Sequence, residues 1–186
     1  LNDKKLFIAE PAIGVKKSVV EEVNQVEKSS DIFQVISVGR LLYIKNFKLT
    51  VLAFAKFLEN NPDVGNAKLQ IIGNGEDKDS LESLVEELKI TNQVEFVGKI
   101  SLSKVQERFS EADIFLFPTL ENAGFVIIEA MSHALPILAM NYGGPEQFIK
   151  NNIEEQLVPV THKFDDIAQV LAKRLELFYK DKVLVE

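Results

Sequence analysis

Short apolar runs alternate along this chain with longer amphipathic stretches. The runs DIFQVISVG, KLQIIG, VEFVG, DIFLFP, PILAM and QLVPV read as six strands, each too short and too apolar for an amphipathic helix. The stretches between them have helical spacing. In NFKLTVLAFAKFLENN the positions Phe47, Val51, Phe54 and Leu58 fall on one face, and Asn60-Asn61-Pro62 ends the pattern. Leu81, Leu84, Val85 and Leu88 predict a second helix beginning near Ser80. SLSKVQERFSEA predicts a third, with Ser101 or Ser103 as its cap. VIIEAMSHA is a fourth. GGPEQFIKN gives a turn and a short helix, with Pro145 suited to a first helical turn. A last helix runs from Phe164 to Tyr179, with Ile167, Val170, Leu171 and Leu175 as its apolar positions.

Strands separated by helices predict a parallel sheet covered on both faces. Right-handed crossovers then give an α/β, Rossmann-like doubly wound parallel sheet of about six strands. The segment KLFIAEPAIGV does not fit this repeat. Residues 1–30 are therefore expected to be a linker or entry segment, and residues 31–186 the domain.

Composition narrows the function. The chain of 186 residues can hold one domain with a sizeable core. Its formal charge of -7 argues against a general nucleic-acid binder, so any anionic ligand needs local positive groups. There are no cysteines, which removes disulfides, thiolate metal sites and thiol nucleophiles and agrees with a reducing cytoplasm. The two histidines, His133 and His162, lie far apart in sequence, and no metal centre is expected. No apolar run approaches the roughly 20 residues that span a bilayer.

Candidate chemistry sits in the loops that follow the strands. In VGRLLYIKNF, Gly39 lets backbone approach a ligand. Arg40 and Lys45 either converge on a diphosphate or stand as two solvated surface cations. The loop is not GxGxxG, and no GxxxxGK[ST] occurs, so the dinucleotide and P-loop fingerprints are both missing. Gly73 and Gly75 in GNGED make a tight turn or line a nucleotide pocket. Backbone at Gly98, Lys99 and Ile100 is placed to meet a base.

ENAGFVIIE carries the strongest local signal. Gly124, Phe125 and Val126 offer backbone N–H groups at a helix start. Glu129 is set to reach ribose hydroxyls, or it stands exposed, although Val126, Ile127, Ile128 and Ala130 flank it with apolar groups. Glu121 reaches sugar hydroxyls or caps the helix. His133 reads as a satisfied, partly buried histidine. Gly143 and Gly144 form a turn that is placed to close the sugar side, and Glu146 favours a helix start.

The order VGRL…K, IIGNG, VEFVG, ADIFLFP, E-x7-E and GGPE resembles the C-terminal, donor-binding domain of retaining GT-B glycosyltransferases of the glycogen synthase and mannosyltransferase type, family GT4. The resemblance covers about Phe33 to Ile149 and implies one half of a GT-B fold. It implies that Arg40 and Lys45 bind the donor diphosphate, and that Glu129 holds the ribose. It implies that Glu121 contacts the donor sugar, that Gly124 to Val126 bind phosphate or sugar oxygens, and that Val97 to Ile100 meet the base. Arg40, Lys45 and Glu121 then take the catalytic roles, and Gly39, Gly98, Lys99, Ile100, Gly124, Phe125, Val126 and Glu129 bind donor.

The implied reaction moves a hexose from a nucleoside diphosphate sugar, UDP- or GDP-linked, to an acceptor hydroxyl with retention. No cofactor or metal is implied. The acceptor, a carbohydrate or lipid-linked group, is expected to be held by an N-terminal domain absent from this chain, so that the isolated domain transfers weakly. A cytoplasmic setting is implied, with the parent peripheral at the inner face of a membrane. A non-catalytic nucleotide-binding module and a GT-B nucleotide-sugar epimerase stand as the alternatives. Where the family has Gly-Phe-Gly after its first glutamate, this chain has Asn122-Ala123-Gly124.

Overall fold

In a computed structural model the chain forms one six-stranded sheet in the order β3-β2-β1-β4-β5-β6, with every neighbouring pair parallel. The structure describes residues 32–121, 124–149, 156–160 and 163–185. The expected entry segment 1–30 lies outside them, as do Asn122, Ala123 and His162.

The strands are β1 (Phe33–Val38), β2 (Ala67–Ile72), β3 (Val94–Gly98), β4 (Ile114–Phe117), β5 (Ile137–Met140) and β6 (Leu157–Val158). β4 and β5 are buried at every position, as a strand with helices on both faces requires. β6 is only two residues long, because Pro159 follows and has no amide to continue the ladder.

The helices are α1 (Phe47–Asn60), α2 (Lys78–Glu87), α3 (Leu102–Glu111), α4 (Phe125–Ser132), α5 (Gly144–Phe148) and α6 (Phe164–Val185). α3 starts as expected, with the Ser101 hydroxyl accepting from the Lys104 amide at 3.4 Å. α5 is shorter than its sequence pattern because Ile149 turns to extended backbone. A single 3-10 turn at Tyr43–Lys45, not anticipated from sequence, lifts the chain from β1 into α1.

Two cores flank the sheet. One joins β1 and β2 to α1, α2 and α6 through Phe33, Phe54, Phe57, Leu69, Leu81 and Leu171. The other joins β4 and β5 to α3 and α4 through Phe109, Phe115, Phe117, Ile127 and Ile137. The chain runs outward from β1 to β3, then returns to place β4 beside β1. That reversal leaves a gap between the loops after β1 and β4, the place where open α/β sheets accept ligands.

Candidate functional site

A cleft of about 430 Å³ opens at this reversal. Its walls are Val38 at the end of β1, Gly39 and Lys45 just past it, Ile100, Leu102 and Val105 after β3, and Gly124, Phe125, Val126 and Glu129 after β4. Seven residues singled out from sequence therefore line one cavity: Gly39, Lys45, Ile100, Gly124, Phe125, Val126 and Glu129. Arg40, Gly98, Lys99 and Glu121 do not line it. Arg40 and Lys99 are exposed.

The loops hold each other by backbone. The Gly39 N–H donates to the Ile72 carbonyl at 2.9 Å, and the Gly73 N–H to the Gly98 carbonyl at 2.9 Å. The Leu41 N–H reaches the Asn74 carbonyl at 3.0 Å. Gly73 has φ +142°, and a Cβ there would stand 1.8 Å from the Gly39 oxygen. A Cβ at Gly75 would stand 2.2 Å from the Leu41 oxygen. These glycines thus do more than shape a turn: they let the loop after β2 lie directly on the loop after β1. Gly98 also has positive φ, +76°, but open space around it.

Lys45 reaches back over the cleft floor. Its Nζ ion-pairs with Glu121 Oε2 and lies 5.6 Å from the Phe117 ring centroid, within cation–π range. The two side chains are 17% and 26% exposed, so water screens the pair less than it would on an open surface. Glu121 does not cap α4. The cap position belongs to Gly124, which makes no side-chain bond, and a Cβ there would crowd Ile127 at 2.8 Å. Phe125 and Val126, the first residues of α4, line the cleft, and the opening turn of a helix carries N–H groups that its own ladder does not use. They suit an anion.

Glu129, one turn on, is half-buried, and desolvation raises its carboxyl above the usual range. His133 is buried behind the cleft between α3 and α4. Its Nδ1 pairs with the Ser110 hydroxyl at 2.8 Å and its Nε2 with Gln106, while burial lowers its pKa. Both ring nitrogens are engaged within the fold.

Two residues that the sequence did not single out sit between the loops. The fully buried Thr119 donates its hydroxyl to the Ile44 carbonyl at 3.3 Å and accepts from the Glu121 amide at 3.3 Å. Asn46 donates its side-chain amide to the Pro118 carbonyl at 3.1 Å. No local pattern marks either one, because the bonds to Ile44 and Pro118 join residues more than 70 apart in sequence. Gly144, at the start of α5, approaches the Glu121 carbonyl at 3.5 Å and brings the GGPE turn to the same corner.

Among the described residues no group of three or more His, Asp or Glu is placed to hold a metal ion, and no helix is long and apolar enough to cross a membrane.

The sequence model for the glycosyl transferases group 1 matches residues 19–184. An uncharacterized glycosyltransferase of Methanocaldococcus jannaschii is 32% identical over 120 residues, covering 64% of this chain and 30% of its own. A GDP-Man:Man(3)GlcNAc(2)-PP-Dol alpha-1,2-mannosyltransferase of Xenopus laevis is 33% identical over 158 residues, covering 80% of this chain and 32% of its own. The chain thus spans about a third of the length of these relatives. Among solved structures, the pneumococcal O-GlcNAc transferase GtfA in complex with UDP and GlcNAc superposes with a TM-score of 0.71 at 22% identity. It covers 81% of this chain and 29% of that one, and at this identity the likeness is one of fold.

Proposed function

Because the chain belongs to the glycosyl transferases group 1, we propose that it is the donor-binding half of a GT-B enzyme that moves a hexose from a nucleoside diphosphate sugar to an acceptor hydroxyl. One observation carries this reading. The cleft at the β1–β4 reversal gathers a cation, the first residues of a helix and a half-buried carboxylate within one cavity. A diphosphate suits the first two, and a ribose diol suits the third.

In this reading Lys45 and the first amides of α4 meet the diphosphate. As the bond to the sugar breaks, negative charge grows on the leaving diphosphate, and these fixed positive groups stabilise it without reorganising. Glu129 accepts hydrogen bonds from the ribose hydroxyls. Glu121 contacts the sugar and, through its ion pair, holds Lys45 over the floor. Arg40 stands exposed one residue past Gly39 and joins the diphosphate only by swinging its side chain inward. Backbone from Gly98 to Ile100 meets the base, with Ile100 on the wall. The Gly143-Gly144 turn closes the sugar side.

Retention of anomeric configuration and membership of GT4 belong to this proposal. So do an acceptor held by a further domain, carbohydrate or lipid-linked, and a cytoplasmic site at the inner face of a membrane. The relatives' names support the sugar donor: one is a GDP-Man-dependent mannosyltransferase, and the GtfA structure holds UDP. Calorimetric titration with UDP, GDP, ADP and their sugars tests the reading. Binding of at least one, strongest for a diphosphate, is expected. No heat from any of them at millimolar concentration would sink it.

A further inference from the structure

Lys45, on the cleft wall, and Glu121, on the loop after β4, meet from two separate loops, and both are long side chains. An ion pair between such chains is a weak clamp, because each loses rotamer freedom to make it. Something stiffer must set the loops. The backbone on either side of Lys45 is tied to the loop that carries Glu121. Ile44, just before it, accepts from the Thr119 hydroxyl at 3.3 Å and from the Leu120 amide at 3.4 Å. Asn46, just after it, donates to the Pro118 carbonyl at 3.1 Å.

Thr119 is placed so that both capacities of its hydroxyl are used. It donates to Ile44 and accepts from the amide of Glu121 itself, with the side chain wholly buried. Asn46 shows the same bias. It occupies the cap position of α1 at φ 57° and ψ 36°, a left-handed conformation that asparagine tolerates. An asparagine there ordinarily accepts from an amide of the first turn. Here its side chain makes no such bond and crosses to Pro118 instead.

We propose that Asn46 and Thr119 are positioning residues, a two-point latch that joins the Lys45 and Glu121 loops and fixes the distance between those two groups. This rests on the donor-binding reading for its purpose. The latch allows the cation and the carboxylate to receive a donor diphosphate and its sugar in one preset arrangement.

The test uses the full 186-residue chain and three variants: Thr119→Val, which keeps the shape and removes the hydroxyl; Thr119→Ser, which restores it; and Asn46→Gly, which keeps the left-handed backbone and removes the cross-loop bond. Two measurements are paired. Amide hydrogen exchange at Glu121 reads the latch without ligand. Titration with UDP, GDP, UMP and GMP reads its effect on the site.

Thr119→Val is expected to speed Glu121 exchange and to lower the preference for diphosphate over monophosphate about tenfold, within what the loss of its two buried hydrogen bonds can supply. Thr119→Ser restores both, and Asn46→Gly lowers the preference about threefold. Unchanged Glu121 exchange in Thr119→Val overturns the latch. So does faster exchange with the preference intact. Failure of the wild-type chain to bind any nucleotide removes the donor reading and leaves the exchange measurement to decide the latch alone. If Thr119→Val does not fold, Asn46→Gly decides, and wild-type values there overturn the proposal.

Discussion

Glu129 is half-buried on the wall of the cleft, and desolvation lifts its pKa. A carboxyl that binds its proton more tightly when folded contributes stability below its unfolded pKa, and that contribution is lost as pH rises through the folded value. At neutral pH the ionised group is therefore a cost to the free domain, held where a ligand needs it. Glu129→Gln should raise the urea midpoint at pH 7 and leave it unchanged at about pH 3, well below the ordinary glutamate value, where the carboxyl is neutral in the folded and the unfolded chain alike. The same change should weaken nucleoside diphosphate binding by about 1.5–3 kcal/mol, the value of hydrogen bonds to a charged group. A variant no more stable at pH 7 would deny the desolvation cost, and one with intact affinity would remove Glu129 from the ribose. This residue was legible in the sequence because its apolar neighbours are local. Glu121 was only half legible. Its carboxylate was visible, but its partner Lys45 lies 76 residues away, and no local pattern joins them. Thr119 and Asn46 were invisible for the same reason. Arg40 was visible as a cation, but its place outside the cleft lining was not.

The elements themselves were readable because burial on both faces of a parallel sheet writes continuous apolar runs, as in β4 and β5. What the runs did not reveal was how closely the loops after them pack. Gly73 and Gly98 look alike in sequence, each closing a strand, and both have positive φ. They differ in their surroundings. A Cβ on Gly73 would strike the Gly39 oxygen at 1.8 Å, whereas a Cβ on Gly98 would meet nothing within 4 Å. Gly98→Ala should thus cost only the backbone strain of a left-handed residue, about 1–2 kcal/mol. Gly73→Ala should cost about 3 kcal/mol or more, since strain and overlap add. It should also displace Gly39, and with it the cleft wall after β1. Urea denaturation ranks the two, and a smaller loss for Gly73→Ala than for Gly98→Ala would contradict the contact.

The whole molecule places its site asymmetrically. The chain covers about a third of the relatives' length, yet its cleft has a wall and a floor of its own. That wall belongs to one of the two cores. Val105 is a member of the α3–α4 core, and Val38, Ile100 and Val126 pack against it. The opposite core, with Phe57 packed among Phe33, Phe54 and Tyr179 in tilted and edge-on contacts, supports α1 and α6 and contributes none of those four cleft residues. Stability and binding should therefore separate by face. Phe57→Leu and Phe109→Leu each trade an aromatic ring for a smaller apolar side chain in a fully buried place, for about 1–2 kcal/mol of stability. Phe57→Leu should leave nucleotide affinity unchanged once folded protein is counted, because the sheet stands between it and the cleft. Phe109 touches Phe115 and lies 6.0 Å from His133, so its loss lets α3 and α4 shift together. Phe109→Leu should then weaken nucleotide binding several-fold at equal stability loss. Titration at a temperature where both variants are fully folded makes the comparison, and equal affinities in the two would show that the cleft does not depend on the core beneath it.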